Sequence, residues 1–179
     1  MRKSKINISG FKIGTAENRD GLTGVTVILA PDGGATAGVD VRGCAPGTRE
    51  TDLLDPRKTV QKIHAVVLSG GSAFGLEAAS GCVKYLAEQG VGFPIGNVCV
   101  PIVCSAVLFD LMIGDEKAYP DLLMGYEAAK SASSEFLSGC NGAGTGATVG
   151  KLLGFGNAMK SGAGYHAVSY THLTLPTNS

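Results

Sequence analysis

Histidine is scarce in this chain, and that scarcity narrows the chemistry open to it. Of three histidines in 179 residues, His166 and His172 lie in a C-terminal stretch of different composition, which leaves His64. A zinc site or a Ser-His-Asp triad would have to be built around that one imidazole. His64 opens the apolar part of Lys62–Ser69, a run that reads as a buried strand, so a structural histidine is expected. If the protein is an enzyme, its general base is then not an imidazole. The five cysteines (Cys44, Cys82, Cys99, Cys104, Cys140) are odd in number and form no C-x-x-C pair. That pattern speaks against a disulfide framework and against a zinc site, and no metal or other cofactor is expected.

Long apolar runs are lacking too. No stretch reaches the ~18 residues of a membrane span, and no apolar run follows the short basic start Arg2–Lys5 as in a leader peptide. A soluble, cytoplasmic protein is the expectation. Fifteen basic residues balance fifteen acidic ones, and no charge block interrupts the balance. Nothing offers a phosphate backbone the basic surface it needs, so nucleic acid is not an expected partner.

What the chain has in excess is glycine. Its 27 glycines follow no Gly-X-Y period, and with 44% hydrophobic residues the chain can bury the core of one domain. Ile6–Ile13, Gly24–Ala30 and Thr36–Arg42 read as early strands, with Pro31–Gly34 as a tight turn. Gly43–Pro56 is a polar loop, and Lys62–Ser69 is the next strand. A helix is expected over Ser72–Gln89, with Phe74, Ala78, Cys82, Tyr85 and Leu86 on its apolar face, Ser72 as its cap and Gly90 as its stop. Val91–Val107, broken by Pro94, Gly96 and Pro101, suits extended segments and turns. A second helix opens at Tyr119-Pro120-Asp121, with Pro120 in its first turn and a stripe of Leu122, Leu123, Tyr126 and Ala129. Early strands followed by helices indicate an α+β layered architecture.

Three segments carry candidate chemistry. Gly142–Lys151, rich in glycine, implies a backbone that approaches something closely: a phosphate, a substrate carbonyl or its own chain. It fails as a phosphate loop, because Thr145 and Leu152 stand where that motif needs Gly and Ser or Thr. The dinucleotide fingerprint fits only as Gly142-x-Gly144-x-x-Ala147, without a preceding strand or a following acid. Ser69–Gly75 joins a strand to a helix and could offer free N–H groups to a carboxylate or an oxyanion, or could be a plain left-handed connection. Arg49, Glu50, Asp52 and Asp55 crowd one loop, either as solvated surface or as a loop of fixed shape held by its glycines and prolines.

Together the blocks Val41–Leu54, Val67–Leu76, Gly92–Ile95, Pro101–Val103 and Gly142–Lys151 resemble the S58 peptidases. This is the family of L-aminopeptidase/D-amino-acid esterase and the β-aminopeptidases, with nylon-oligomer hydrolases as more distant relatives. The resemblance implies an αββα sandwich similar to N-terminal-nucleophile hydrolases. It implies a precursor that cuts itself after a glycine and exposes Ser or Thr as nucleophile, whose own α-amine can act as base. That scheme agrees with the poverty of histidine.

By the same resemblance Gly164 is the self-cleavage position, although Tyr165 stands where Ser or Thr would follow. Asn141 is the oxyanion candidate, shifted by one because Cys140 occupies the family's asparagine position. Ser69, Gly70, Gly71 and Ser72 are expected to contact substrate. Residues 1–164 are then an α-subunit-like part of one self-processing hydrolase domain, and residues 165–179 an unstructured, non-native tail. The partners implied are a small peptide or amide substrate, the protein's own β subunit, and further copies in a homo-oligomer. The expected activity is release of N-terminal residues from peptides, amides or esters, with this chain itself inactive. Acyl transfer of the ornithine-acetyltransferase type and a non-catalytic small-molecule-binding module are the alternatives.

Overall fold

The computed structural model describes residues 2–6 and 8–170. Its strands are β1 (Arg2–Lys5), β2 (Lys12–Asn18), β3 (Thr23–Leu29), β4 (Thr48–Arg49), β5 (Ala65–Ser69), β6 (Phe93–Ile95), β7 (Val98–Val100), β8 (Val103–Val107), β9 (Glu135–Ser138), β10 (Thr148–Val149) and β11 (Met159–Lys160). Its α-helices are α1 (Ala78–Glu88) and α2 (Leu122–Lys130). Five strands form a mixed sheet in the order β2-β3-β5-β8-β4. The pairs β2–β3, β3–β5 and β4–β8 are antiparallel, whereas β5 and β8 run parallel. A parallel pair needs a long crossover, and here α1 and the β6–β7 hairpin supply it.

Side chains alternate across the sheet because successive Cβ atoms point to opposite faces. On one face Val25, Val27, Leu29, Ala65, Val67 and Val103 pack against Ala78, Ala79, Cys82 and Leu86 of α1 and Ala128 and Ala129 of α2. Val25, Val27 and Val67 are fully buried, each burial being worth about 1.5–3 kcal/mol. The two helices meet backbone to backbone. A Cβ at Gly125 would lie 2.6 Å from the carbonyl carbon of Ala78, and one at Gly81 would lie 2.5 Å from the amide nitrogen of Tyr126. Small residues therefore form this seam. Leu122 and Leu123, expected in the apolar stripe, are exposed instead, and Gly125, Ala128 and Ala129 are the buried positions.

The other sheet face carries Ile13, Thr26, Ile28, Leu68 and Ala106. It is covered in part by the antiparallel β1–β9 ribbon, which the bridge between Gly139 and Ala163 extends. Phe136 of β9 is buried there with Ile6 and Ile13, and Phe11, Ile28, Ala163 and Tyr165 pack around them. The layers are thus helices, mixed sheet and a ribbon.

Several local expectations need correcting. The strand expected over Ile6–Ile13 is not continuous: residues 8–10 turn between β1 and β2, Lys12 and Ile13 open β2, and Asn7 lies outside the described residues; Thr36–Arg42 forms no strand, with Val39 and Val41 exposed. The apolar character of those two valines had suggested a strand, but they have no ladder to join. α1 is preceded by a 3-10 turn at Ser72–Glu77, and Ser72 makes no capping bond; it adopts φ +53°. Phe74 lies outside the core and stacks on Tyr119, ring centroids 4.7 Å apart. Pro120 precedes the cap instead of entering the first turn: Asp121 caps α2 by accepting from the Met124 N–H at 2.8 Å. Gly90 ends α1 with φ +69° as expected.

Residues 165–170 form neither helix nor strand, yet the Tyr165 ring packs on Phe136 with centroids 5.6 Å apart. Residues 171–179, including His172, lie outside the described residues.

Candidate functional site

A cavity of about 330 Å³ opens on the sheet face away from the helices. Ile28, Leu68 and Ala106 form its floor, and the ends of β5 and β8 contribute Ser69 and Leu108. The glycine loop adds Ala143, Gly144 and Ala147, and Gly162–Tyr165 makes the remaining wall. Every lining side chain is apolar or hydroxyl-bearing, so the cavity suits an uncharged guest.

The glycine loop resolves the choice among its three possible neighbours in favour of its own chain. Gly142 adopts φ +52°, and a Cβ there would lie 2.7 Å from the Val25 carbonyl oxygen. Five of the loop's N–H groups are spent within the chain. Gly142 donates to Glu17 Oε2 at 3.2 Å and Ala143 to Thr26 Oγ1 at 3.1 Å. Gly144, Thr145 and Ala147 donate to the carbonyls of Asn141, Gly142 and Gly144. Lys160 Nζ in turn donates to the carbonyls of Gly144, Thr145 and Ala147 at 3.1, 2.7 and 3.3 Å. A phosphate would find these donors occupied and the Glu17 carboxylate among them.

The Ser69–Ser72 turn is closed in the same way. The Gly70 N–H donates to Gly24 O at 2.9 Å, Gly71 to Asp110 Oδ1 at 2.6 Å and Ser72 to Leu108 O at 3.0 Å. Of the two readings of this segment, the occupied N–H groups of Gly70, Gly71 and Ser72 and the φ of +78° at Gly71 favour the plain left-handed connection. Of Ser69, Gly70, Gly71 and Ser72, Ser69 alone lines the cavity, and its hydroxyl donates to Gly70 O at 3.1 Å.

Gly164 and Tyr165 both line the cavity, and the Tyr165 hydroxyl is buried without a hydrogen-bond partner among the described residues. Cys140 and Asn141 do not line it. Asn141 is buried, and its amide nitrogen donates to Leu137 O at 3.3 Å and Ser138 O at 3.5 Å. Cys140 is exposed, its thiol 3.7 Å from Ser161 O. The structure thus brings Ser69, Gly164 and Tyr165 together and leaves the Cys140–Asn141 pair outside.

His64 is a structural histidine. It is buried just before β5, its Nδ1 accepts from the Ile102 N–H at 3.1 Å, and its backbone N–H donates to Ile102 O at 2.8 Å. Burial lowers its pKa, and an accepting Nδ1 belongs to the neutral ring. The charged loop is partly pinned and partly solvated. Arg49 Nη1 donates to Ser80 Oγ at 2.7 Å, tying the loop to α1, while Asp55 and Arg57 pair at 2.6 Å on the surface. Arg57 beside it holds the Asp55 carboxyl down to about 2. Asp110 escaped notice in the sequence. It is 3% exposed, and its signal was a lone acid inside the apolar run 106–113.

Solved structures share this fold. The PH0078 protein of Pyrococcus horikoshii superposes with a TM-score of 0.63 at 23% identity, covering 78% of this chain and 43% of that one. The L-aminopeptidase D-Ala-esterase/amidase of Ochrobactrum anthropi, described as a variant of the Ntn hydrolase fold, gives 0.60 at 18% identity, covering 78% and 42%. The chain accordingly carries part of an α+β sandwich of the Ntn-hydrolase kind. The sequence profile of Peptidase family S58 matches residues 5–167, and the chain belongs to that family.

Among its relatives, the "Uncharacterized aminopeptidase Rv1333" of Mycobacterium tuberculosis is 47% identical over 131 residues, which is 73% of this chain and 38% of that protein. The 6-aminohexanoate-oligomer endohydrolase of Paenarthrobacter ureafaciens is 36% identical over 149 residues, 83% of this chain and 39% of that protein. The chain spans less than half the length of these relatives. The family match passes Gly164 and ends at residue 167. Among the described residues no helix is long and apolar enough to cross a membrane.

Proposed function

We propose that this chain is part of a self-processing peptidase or amidase, in which its sheet forms one wall of the substrate site. The nucleophilic Ser or Thr comes from outside this sequence. The observation that carries the reading is the apolar cavity on the sheet face opposite the helices, walled by the glycine loop and by Gly162–Tyr165. A site without charged side chains holds an acyl chain away from water, where oxyanion donors act most strongly. Relatives named as aminopeptidase and as 6-aminohexanoate-oligomer endohydrolase support a substrate whose scissile bond is an amide. The whole protein would release N-terminal residues from short peptides, amides or esters through an acyl-enzyme. The exposed sheet face, where Leu68 is 39% exposed, is where a β subunit would pack, and the complete protein would assemble as a homo-oligomer.

The chain as it stands neither cuts itself nor hydrolyses amides. Tyr165 follows Gly164, and its phenol is held against Phe136 on a rigid ring that cannot swing onto the preceding carbonyl. For Asn141 to serve the oxyanion, its amide must let go of the carbonyls of Leu137 and Ser138. Intact-mass spectrometry after prolonged incubation at neutral pH, with an amino-acyl amide present, tests this. One undivided mass and unchanged amide are expected; two fragments divided at Gly164–Tyr165, or turnover of the amide, would refute it.

A further inference from the structure

We infer that Asp110 is a positioning residue whose carboxylate bolts together the three loops at the rim of the cavity. Calling that cavity a substrate site rests on the reading above; the bolt itself does not. Asp110 is 3% exposed, and among the described residues no cation pairs with it. A buried carboxylate without a counter-ion is retained only where hydrogen bonds satisfy it. Its two oxygens divide the work: Oδ1 accepts from the Gly71 N–H at 2.6 Å and Oδ2 from the Thr23 hydroxyl at 2.8 Å.

The two donors belong to different parts of the chain, one at the turn after β5 and one at the start of β3. Each has a neighbour in a left-handed conformation that side-chain-bearing residues rarely adopt: Ser72 at φ +53° and Leu22 at φ +54°. Such conformations persist where the surroundings over-determine them. The third loop is held by shape. A Cβ at Gly146 would lie 2.6 Å from the Asp110 Cβ, so the end of the glycine loop rests directly on this side chain. Two further bonds close the same corner, the Leu108 N–H to Ser69 O at 2.9 Å and the Gly70 N–H to Gly24 O at 2.9 Å. Ser69 and Ala147, each within two residues of a group that Asp110 holds, and Leu108, two residues before Asp110 itself, all line the cavity. The turn read from sequence as a cradle for an outside anion is thus filled by the protein's own.

The consequence is coupling between segments far apart in sequence, which hydrogen exchange reads directly. In Asp110→Ala, amides of residues 69–72 and 142–147 should exchange about tenfold faster or more, while those of α2 stay unchanged. In Asp110→Asn the amide can accept from Gly71 and donate to the Thr23 oxygen, which can accept. That variant should therefore exchange nearly as the parent does. Faster exchange confined to residues 108–112 in Asp110→Ala, or equal acceleration in Asp110→Asn, would overturn the inference. Should Asp110→Ala fail to fold, Thr23→Val removes one donor only. It must then speed exchange at residues 142–147 as well as at the β3 start, and a parent-like loop there would overturn the inference equally. Exchange does not depend on hydrolysis, so failure of the peptidase reading leaves this result standing, and the reverse holds too.

Discussion

Tyr165 offers the sharpest quantitative test, because its ring and its hydroxyl pull in opposite directions. The ring lies in the small cluster of Ile6, Ile13 and Phe136, with its centroid 5.6 Å from that of Phe136. The hydroxyl is buried without a partner among the described residues. An unsatisfied buried polar group costs about 1–3 kcal/mol. Tyr165→Phe removes that cost and keeps the ring, so it should raise stability by about 1 kcal/mol, or ~2–4 °C in Tm for a chain of this size. Tyr165→Ala forfeits the ring. Truncating a fully buried aromatic costs about 3–5 kcal/mol, and for a half-buried one about 2 kcal/mol is expected. Urea unfolding of the three proteins, followed by circular dichroism, gives both numbers. If Tyr165→Phe gains nothing and Tyr165→Ala lies within about 0.5 kcal/mol of the parent, the residue is a passenger and the cluster is misdrawn.

Three other outcomes follow from the packing and the titrating groups. Gly125→Ala should destabilise by about 1–3 kcal/mol, since the new methyl overlaps the Ala78 backbone; thermal unfolding checks it, and an unchanged Tm would contradict the helix seam. Brief alkylation of the native chain should modify Cys44, Cys99 and Cys140, which are exposed, and spare Cys104 and Cys82, whose thiol burial pushes up to about 12; peptide mass mapping reads the sites. His64 has a folded pKa below its ordinary 6.5, so the unfolded chain binds more protons beneath that value. Its effect on stability is constant above about pH 6.5 and turns unfavourable as pH falls below it. Urea midpoints across pH 5–8 should show the decline, and His64→Gln should flatten it.

The strands with β-branched alternation were legible in the sequence, β3 to within a residue at each end and β5 at its end though it starts three residues later than expected, as were the extended segments of Val91–Val107 and the glycine stop of α1. What periodicity could not give is which helix positions meet another backbone. Leu122 and Leu123 looked like core, but the seam is made by glycine and alanine, whose small size lowers the apparent amphipathicity of α2. The glycine loop was legible as a close approach, not as to what. The groups that satisfy it lie outside the loop: Glu17 and Thr26, more than a hundred residues earlier, accept from it and Lys160 donates to it. Asp110 was missed for the same reason: a single acid in an apolar run gains meaning only once Thr23 and Gly71 are beside it. Family resemblance carried further than residue chemistry, and the family match over residues 5–167 bears it out.

We propose that this sheet is one wall of a hydrolase site that a further segment completes. Joining residues 1–164 to the part of the Mycobacterium tuberculosis relative that lies beyond its matching segment tests it most directly. Intact mass and hydrolysis of an amino-acyl amide are then followed on the purified hybrid. The account predicts a protein that divides into two chains and turns over the amide. A cooperatively folded hybrid that stays one mass and leaves the amide untouched would contradict it.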